Sequence, residues 1–131
     1  MKINIFYCLI LILGITFFFT QKSYAQTDVY TTAEKMPEQT NGLAGYYQFI
    51  YANLRYPEAA RTQSIEGRVF VQFIIEKDGS LSNFAIVKGL GHGCDEEAIR
   101  VLKLAPRWKP AYQGGQAVRM RYTLPITFKP S

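Results

Sequence analysis

The sequence predicts an α+β domain, a small antiparallel three-stranded sheet with helices packed on one face. Three observations predict it. Val69, Val71, Phe73 and Ile75 alternate with Phe70, Gln72 and Ile74 and run into Asp78-Gly79, which is strand patterning followed by a hairpin-turn dipeptide. Val118, Met120, Tyr122, Leu124, Ile126 and Phe128 alternate with Arg119, Arg121, Thr123 and Thr127, a strand with one buried and one wet face. Two other stretches, opening near Asn41 and Asp95, repeat apolar residues at helical spacing instead.

Along the chain, residues 1–25 read as a secretory signal. Lys2 precedes an apolar run from Ile5 to Phe19, and Ser23-Tyr24-Ala25 puts small residues where a signal peptidase reads. The alternative, an uncleaved inner-membrane anchor, asks for about 20 apolar residues, and this run is shorter. The implied fate is export. Residues 26–40 are polar and without period, a short arm or linker, and residues 41–131 form the domain.

Leu43, Tyr46, Tyr47, Ile50 and Leu54 mark one face of a first helix, which Tyr56-Pro57 stops because the residue before proline is pushed out of the α region. Pro57 then opens a short second helix, "PEAART". Gly67 precedes the first strand. The second strand, Leu81 to Lys88, loses its alternation between Leu81 and Phe84, which predicts a bulge. After the flexible "GLGHG", Asp95, Glu96 and Glu97 place negative charge on the first turn of a helix, where the macrodipole favours it. Ala98, Ile99, Leu102 and Ala105 make its apolar stripe, and Pro106 ends it. Trp108 lies extended between Pro106 and Pro110, and Gly114-Gly115 turns the chain into the last strand. Pro125 interrupts that strand. Proline cannot donate to a ladder, so the last strand is an edge strand with the proline nitrogen facing out.

Removing the first 25 residues leaves 106, which keep 13 of the 15 Lys and Arg and all 10 acidic residues, so the net charge drops from +5 to +3. So mild a charge, without a basic motif helix or interleaved aromatics, argues against nucleic-acid binding. Only Cys94 remains, so no internal disulfide forms, and none is needed at this size. His92, Cys94 and Asp95 are the cluster most like an active site, since a thiol at a helix start beside a histidine can be activated. No third, orienting group is evident, and Cys94 reads as a core residue that tucks the helix start against the sheet. Zinc wants about four ligands, and this half-cluster does not supply them. "GLGHG" lacks phosphate-loop spacing, and the acids after it repel an anion. Arg119, Arg121 and Lys129 read as a solvated stripe and Trp108 as a core plug. No catalytic residue, cofactor or metal site emerges.

With these residues placed, the chain resembles the C-terminal domain of the TonB family. The matching elements are "YPEAAR" (Tyr56 to Arg61), "EGRVFVQFII" (Glu66 to Ile75), Asp78-Gly79, "CDEEAIRVL", "RWKPA" (Arg107 to Ala111), Gly115 and "YTLPITF" (Tyr122 to Phe128). "EKMPE" followed by "YANLRYP" is similar to the stand-alone forms of Bacteroidetes-type bacteria. The resemblance implies a small sheet with two helices on one side. It also implies a part in TonB-dependent transport, in which the domain binds the TonB box, a segment near the N-terminus of an outer-membrane transporter, as an added strand along its last strand. Carried over, the partner-binding residues are Val118, Arg119, Met120, Arg121, Tyr122 and Thr123. Full-length transducers of the family add a membrane anchor and a long proline-rich spacer. Here the six prolines are scattered, which points to a periplasmic binding module. The alternative is a structural or envelope-assembly domain that pairs with itself through the same edge, as a homodimer.

Overall fold

The computed structural model describes residues 28–130. The predicted signal segment and its cleavage site lie outside the described residues. Among the described residues, seven strands and three helices follow in the order β1 (Val29–Tyr30), β2 (Glu38–Gln39), α1 (Gly42–Asn53), α2 (Glu58–Thr62), β3 (Gly67–Ile75), β4 (Leu81–Lys88), α3 (Cys94–Leu104), β5 (Trp108–Lys109), β6 (Ala111–Gln113) and β7 (Gln116–Phe128). The main sheet runs β1-β7-β3-β4, with β6 also on β7, and β2 pairs β5 in a second, two-stranded sheet. The three long strands are the antiparallel sheet that the alternating patterns predict. β1 and β6 extend it, and β1 pairs β7 in parallel.

Each helix stops where its sequence demands. α1 ends at Asn53 because Leu54 is already extended, and Tyr46 and Ile50 are its buried residues. Leu43, read from periodicity as part of the buried face, is instead 53% exposed, on the first turn of a helix whose buried residues begin only at Tyr46. Pro57 sits one position earlier than predicted, as the extended cap before α2, where its carbonyl accepts the Ala60 and Arg61 N–H groups at 3.1 and 2.9 Å. α3 buries Cys94, Ala98, Val101 and Leu102. Ala105 lies just beyond the helix, extended, so the stripe closes on Val101 and Leu102.

The β3–β4 hairpin turns where Asp78-Gly79 predicts it, through a three-residue loop of Lys77, Asp78 and Gly79. Glu76 N–H donates to Ser80 C=O at 2.8 Å across it, and Gly79 N–H returns to Glu76 C=O at 2.9 Å. The Asp78 carboxylate accepts the Ser80 N–H at 2.9 Å and braces the loop. Gly79 has φ +84°, and a Cβ there would stand 1.8 Å from the Trp108 carbonyl oxygen. Only glycine lets the two backbones meet this closely, and Trp108 N–H donates to Gly79 C=O at 2.9 Å. The predicted irregularity of β4 is present: the register against β3 shifts between Gln72 and Ile74, with Asn83 at φ +51°.

The helices cover one face of the sheet. Val69, Val71, Phe73 and Ile75 from β3 and Leu124, Ile126 and Phe128 from β7 pack with Tyr46, Ile50, Ala60, Cys94, Ala98, Val101, Leu102 and Trp108. Each fully buried Val, Leu, Ile or Phe contributes about 1.5–3 kcal/mol over leaving it exposed. Trp108 is the plug that its setting between prolines suggests, 3% exposed with Tyr46, Phe73 and Tyr122 edge-on around it. A polar clamp joins the helices: Glu97, nearly buried, holds Arg100, whose guanidinium donates to the Asn53 carbonyl at the end of α1 at 2.9 Å.

Candidate strand-docking edge

β7 pairs β3 without interruption from Gly67↔Phe128 to Ile75↔Met120. An unbroken antiparallel register carries no bulge, so backbone groups alternate strictly between β3 and the opposite, outer side. Two side-chain contacts from α1 fix which residues face out. Tyr47 donates its hydroxyl proton to Pro125 C=O at 2.9 Å, and Tyr51 accepts the Thr127 N–H at 3.1 Å. Pro125 and Thr127 therefore present their main chain outward, as the missing proline N–H requires, and by alternation so do Arg119, Arg121 and Thr123.

The expectation that β7 is an edge strand holds for part of its length and is corrected for the rest. β1 occupies the outer side at Arg119 and Met120, with Val29↔Arg119 and Tyr30↔Met120 in register. Among the described residues, no strand pairs the outer side of residues 121–128. The polar arm is thus docked along the domain. After β1, the Glu34 N–H donates to the Gln113 side chain at 2.9 Å, and Lys35 and Tyr112 exchange both backbone bonds at 3.1 and 3.0 Å. β2 then pairs β5, and Thr40 donates to the Arg107 carbonyl. Its lack of periodicity hid this, because two-residue strands are too short to show a period.

The residues expected to bind a partner divide by face. Val118 and Met120 are buried on the helix side, in a small cluster with Ala111 that Tyr30 and Ala33 of the arm cover. Val118 pairs β6, so its main chain is already used within the sheet. Tyr122 is half-buried against Phe73 and Trp108. Arg119, Arg121 and Thr123 lie on the other face. Arg121 and Thr123 are exposed, whereas Arg119 is held by a bidentate pair with Glu76 at 2.8 and 3.1 Å. Ser82 donates to the same Glu76 carboxylate at 2.5 Å, and the Arg119 contact first among causes holds the Glu76 pKa below the usual carboxylate range. The basic stripe is therefore partly neutralised.

Sequence reasoning missed Tyr47 and Tyr51 as edge residues. Their spacing of four places both on one side of α1, and their rings stack at 5.7 Å. Beyond them an open groove of about 600 Å³ runs between Tyr51, Leu54, Tyr56, Thr127 and Lys129.

The cluster of His92, Cys94 and Asp95 does not converge. Cys94 is fully buried in the core, and burial first, then Asp95 and Glu96, pushes its thiol pKa up, the wrong direction for a nucleophile. The Asp95 carboxylate accepts the Leu90 N–H at 2.9 Å and ties down the glycine loop, while His92 is exposed at φ +54°. Among the described residues no group of three or more His, Cys, Asp or Glu side chains is placed to hold a metal, and no helix is long and apolar enough to cross a membrane.

A family model described as the Gram-negative bacterial TonB protein C-terminal matches residues 52–130. The protein TonB of Pseudomonas aeruginosa is 30% identical over 74 residues, which cover 56% of this chain and 22% of that protein, so the chain spans about a fifth of its relative's length. The solution structure of the Pseudomonas aeruginosa TonB C-terminal domain aligns at 30% identity over 58% of this chain and 77% of that one, with a TM-score of 0.47. A Helicobacter pylori TonB C-terminal domain aligns at 26% identity over 68% of this chain and 80% of that one, with a TM-score of 0.48.

Proposed function

The chain belongs to the family of TonB C-terminal domains, and from that premise we propose that it is a periplasmic acceptor of a guest strand, the TonB-box segment near the N-terminus of an outer-membrane transporter. The guest lies along the outer side of β7 and bonds to the residues whose main chain faces out, Arg119, Arg121 and Thr123. The observation that carries this reading is that, among the described residues, no strand has a register partner on the outer side of residues 121–128, in a strand whose other side is fully laddered to β3. An added strand supplies main-chain bonds of about 0.5–1.5 kcal/mol net each, and the alternate side chains supply selectivity. Less the cost of ordering the peptide, a handful of bonds suggests an affinity near micromolar, about −8 kcal/mol. The role needs no chemistry of the domain's own, and export with removal of residues 1–25 places it where transporters present their N-termini.

Two proline substitutions test the reading. Thr123→Pro removes an outward N–H and leaves the β3 ladder intact, so the domain stays folded and loses most of its affinity for a synthetic transporter N-terminal segment. Tyr122→Pro removes an inward N–H and unfolds or badly destabilises the domain. Circular dichroism melts and fluorescence titration separate the two. Thr123→Pro protein that folds and binds like the parent removes this edge as the docking site.

A further inference from the structure

The outer side of β7 is almost fully occupied. β1 covers Arg119, and its parallel register sets the Tyr30 backbone between those of Arg119 and Arg121. Tyr47 holds the Pro125 carbonyl and Tyr51 the Thr127 N–H. What remains is Thr123 and the carbonyl side of Arg121, a window too narrow for a strand. A guest must therefore displace either the arm or the tyrosines.

Two features favour the arm. Over residues 119–123 every outward residue has both an N–H and a C=O, whereas a lane over residues 121–127 crosses Pro125, where a guest carbonyl finds no donor. The arm also leaves behind a prepared surface. Tyr30 and Ala33 cover Ala111, Val118 and Met120, so apolar side chains of a guest can take their place on the same cluster. β1 itself is only two residues long, and the firmer attachments of the arm, Lys35 to Tyr112 and β2 to β5, lie further along and can stay made while β1 peels away.

We propose that β1 is a resident competitor: the chain's own Val29–Tyr30 strand occupies the docking lane, and a guest binds over residues 119–123 by displacing it. This rests on the docking reading above. The competition lowers apparent affinity by the fraction of molecules whose lane is open, and it keeps the edge covered when no guest is present.

The full chain carries the test in two forms. Tyr30→Pro takes away the N–H that faces β7 and releases β1. A Val29→Cys, Arg119→Cys pair, whose Cα atoms are register partners, locks β1 in place when oxidised and frees it when reduced, with native Cys94 buried out of reach. Each is titrated with a fluorescein-labelled synthetic peptide spanning a transporter N-terminal segment. The expected result is affinity raised roughly five- to thirty-fold by Tyr30→Pro, the range for a contact of one or two kcal/mol, and affinity lost on oxidation of the cysteine pair and recovered with reductant. Unchanged affinity in Tyr30→Pro together with full binding by the oxidised pair overturns the competition and leaves strand docking standing, over residues 121–127. No binding by any form, the released one included, removes the docking reading and the competition with it.

Discussion

Tyr51 takes the Thr127 N–H onto its hydroxyl at 3.1 Å, where the carbonyl of a neighbouring strand would otherwise lie. The contact is exposed, so water replaces it when it is lost. Tyr51→Phe is expected to cost less than about 1 kcal/mol, and Tyr47→Phe, whose bond to Pro125 is part-buried, about 1 kcal/mol. Urea melts of the two variants measure both, and the order of the two losses is the informative part.

Tyr47 also gives the domain an alkaline limit. Burial chiefly, with Tyr51, Tyr122 and Tyr46 adding, pushes its pKa from 10.0 up to about 12. The unfolded chain then loses this proton near pH 10 while the folded one keeps it. The stabilisation from the neutral hydroxyl is whole below pH 10 and is lost as pH rises toward 12. Stability measured across that window is expected to fall less steeply in Tyr47→Phe than in the parent.

Glu76 sets a limit at the acid end. Its pKa lies below the ordinary 4.5, because the Arg119 contact favours the carboxylate and the Ser82 hydroxyl adds to it. That stabilisation is present above pH 4.5 and disappears as pH falls through the lower folded value. Glu76→Gln is expected to cost about 1 kcal/mol at neutral pH, since both partners are about a quarter exposed and solvent screens the pair. Its stability at low pH then converges on that of the parent.

Gly79→Ala is expected to be among the most damaging single-methyl additions. The new Cβ meets backbone, the Trp108 carbonyl at 1.8 Å, and the φ of +84° adds strain. A loss of about 2 kcal/mol or more in a thermal melt is expected, and Asn at the same position does no better because the clash is with Cβ itself.

Cys94 is a packing residue. Cys94→Ala removes a fully buried sulfur and is expected to cost about 1 kcal/mol or somewhat more with peptide binding unchanged. The native thiol reacts with a maleimide only as fast as the domain opens, so labelling rates follow stability across the variants above.

Much of the architecture was legible because periodicity reports burial. The alternation of residues 69–75 and 118–128 reports two strands with one face in the core, and Pro125 reports the outward side of β7 before any coordinate does. What was illegible is long-range and short in sequence. Val29–Tyr30 has no period to show, and its partner lies most of the chain away. Tyr47 reads as part of a helix face and Tyr51 stands outside that stripe, and only the approach of α1 to β7 turns their hydroxyls into edge caps. Asp78-Gly79 signals a turn correctly, and Gly79 takes the left-handed conformation at its end.

The pairing of β7 with β3 has a consequence for how the domain comes into being. Every rung joins residues a third of the chain or more apart, whereas β3 and β4 meet through a three-residue loop. Loop-closure entropy makes the hairpin early and the last strand late, so folding is limited by the arrival of β7. A chain delivered N-terminus first holds an open hairpin until β7 appears. The core and the edge meant for a partner are therefore completed in a single closing event, and a protein truncated before Phe128 forfeits both together.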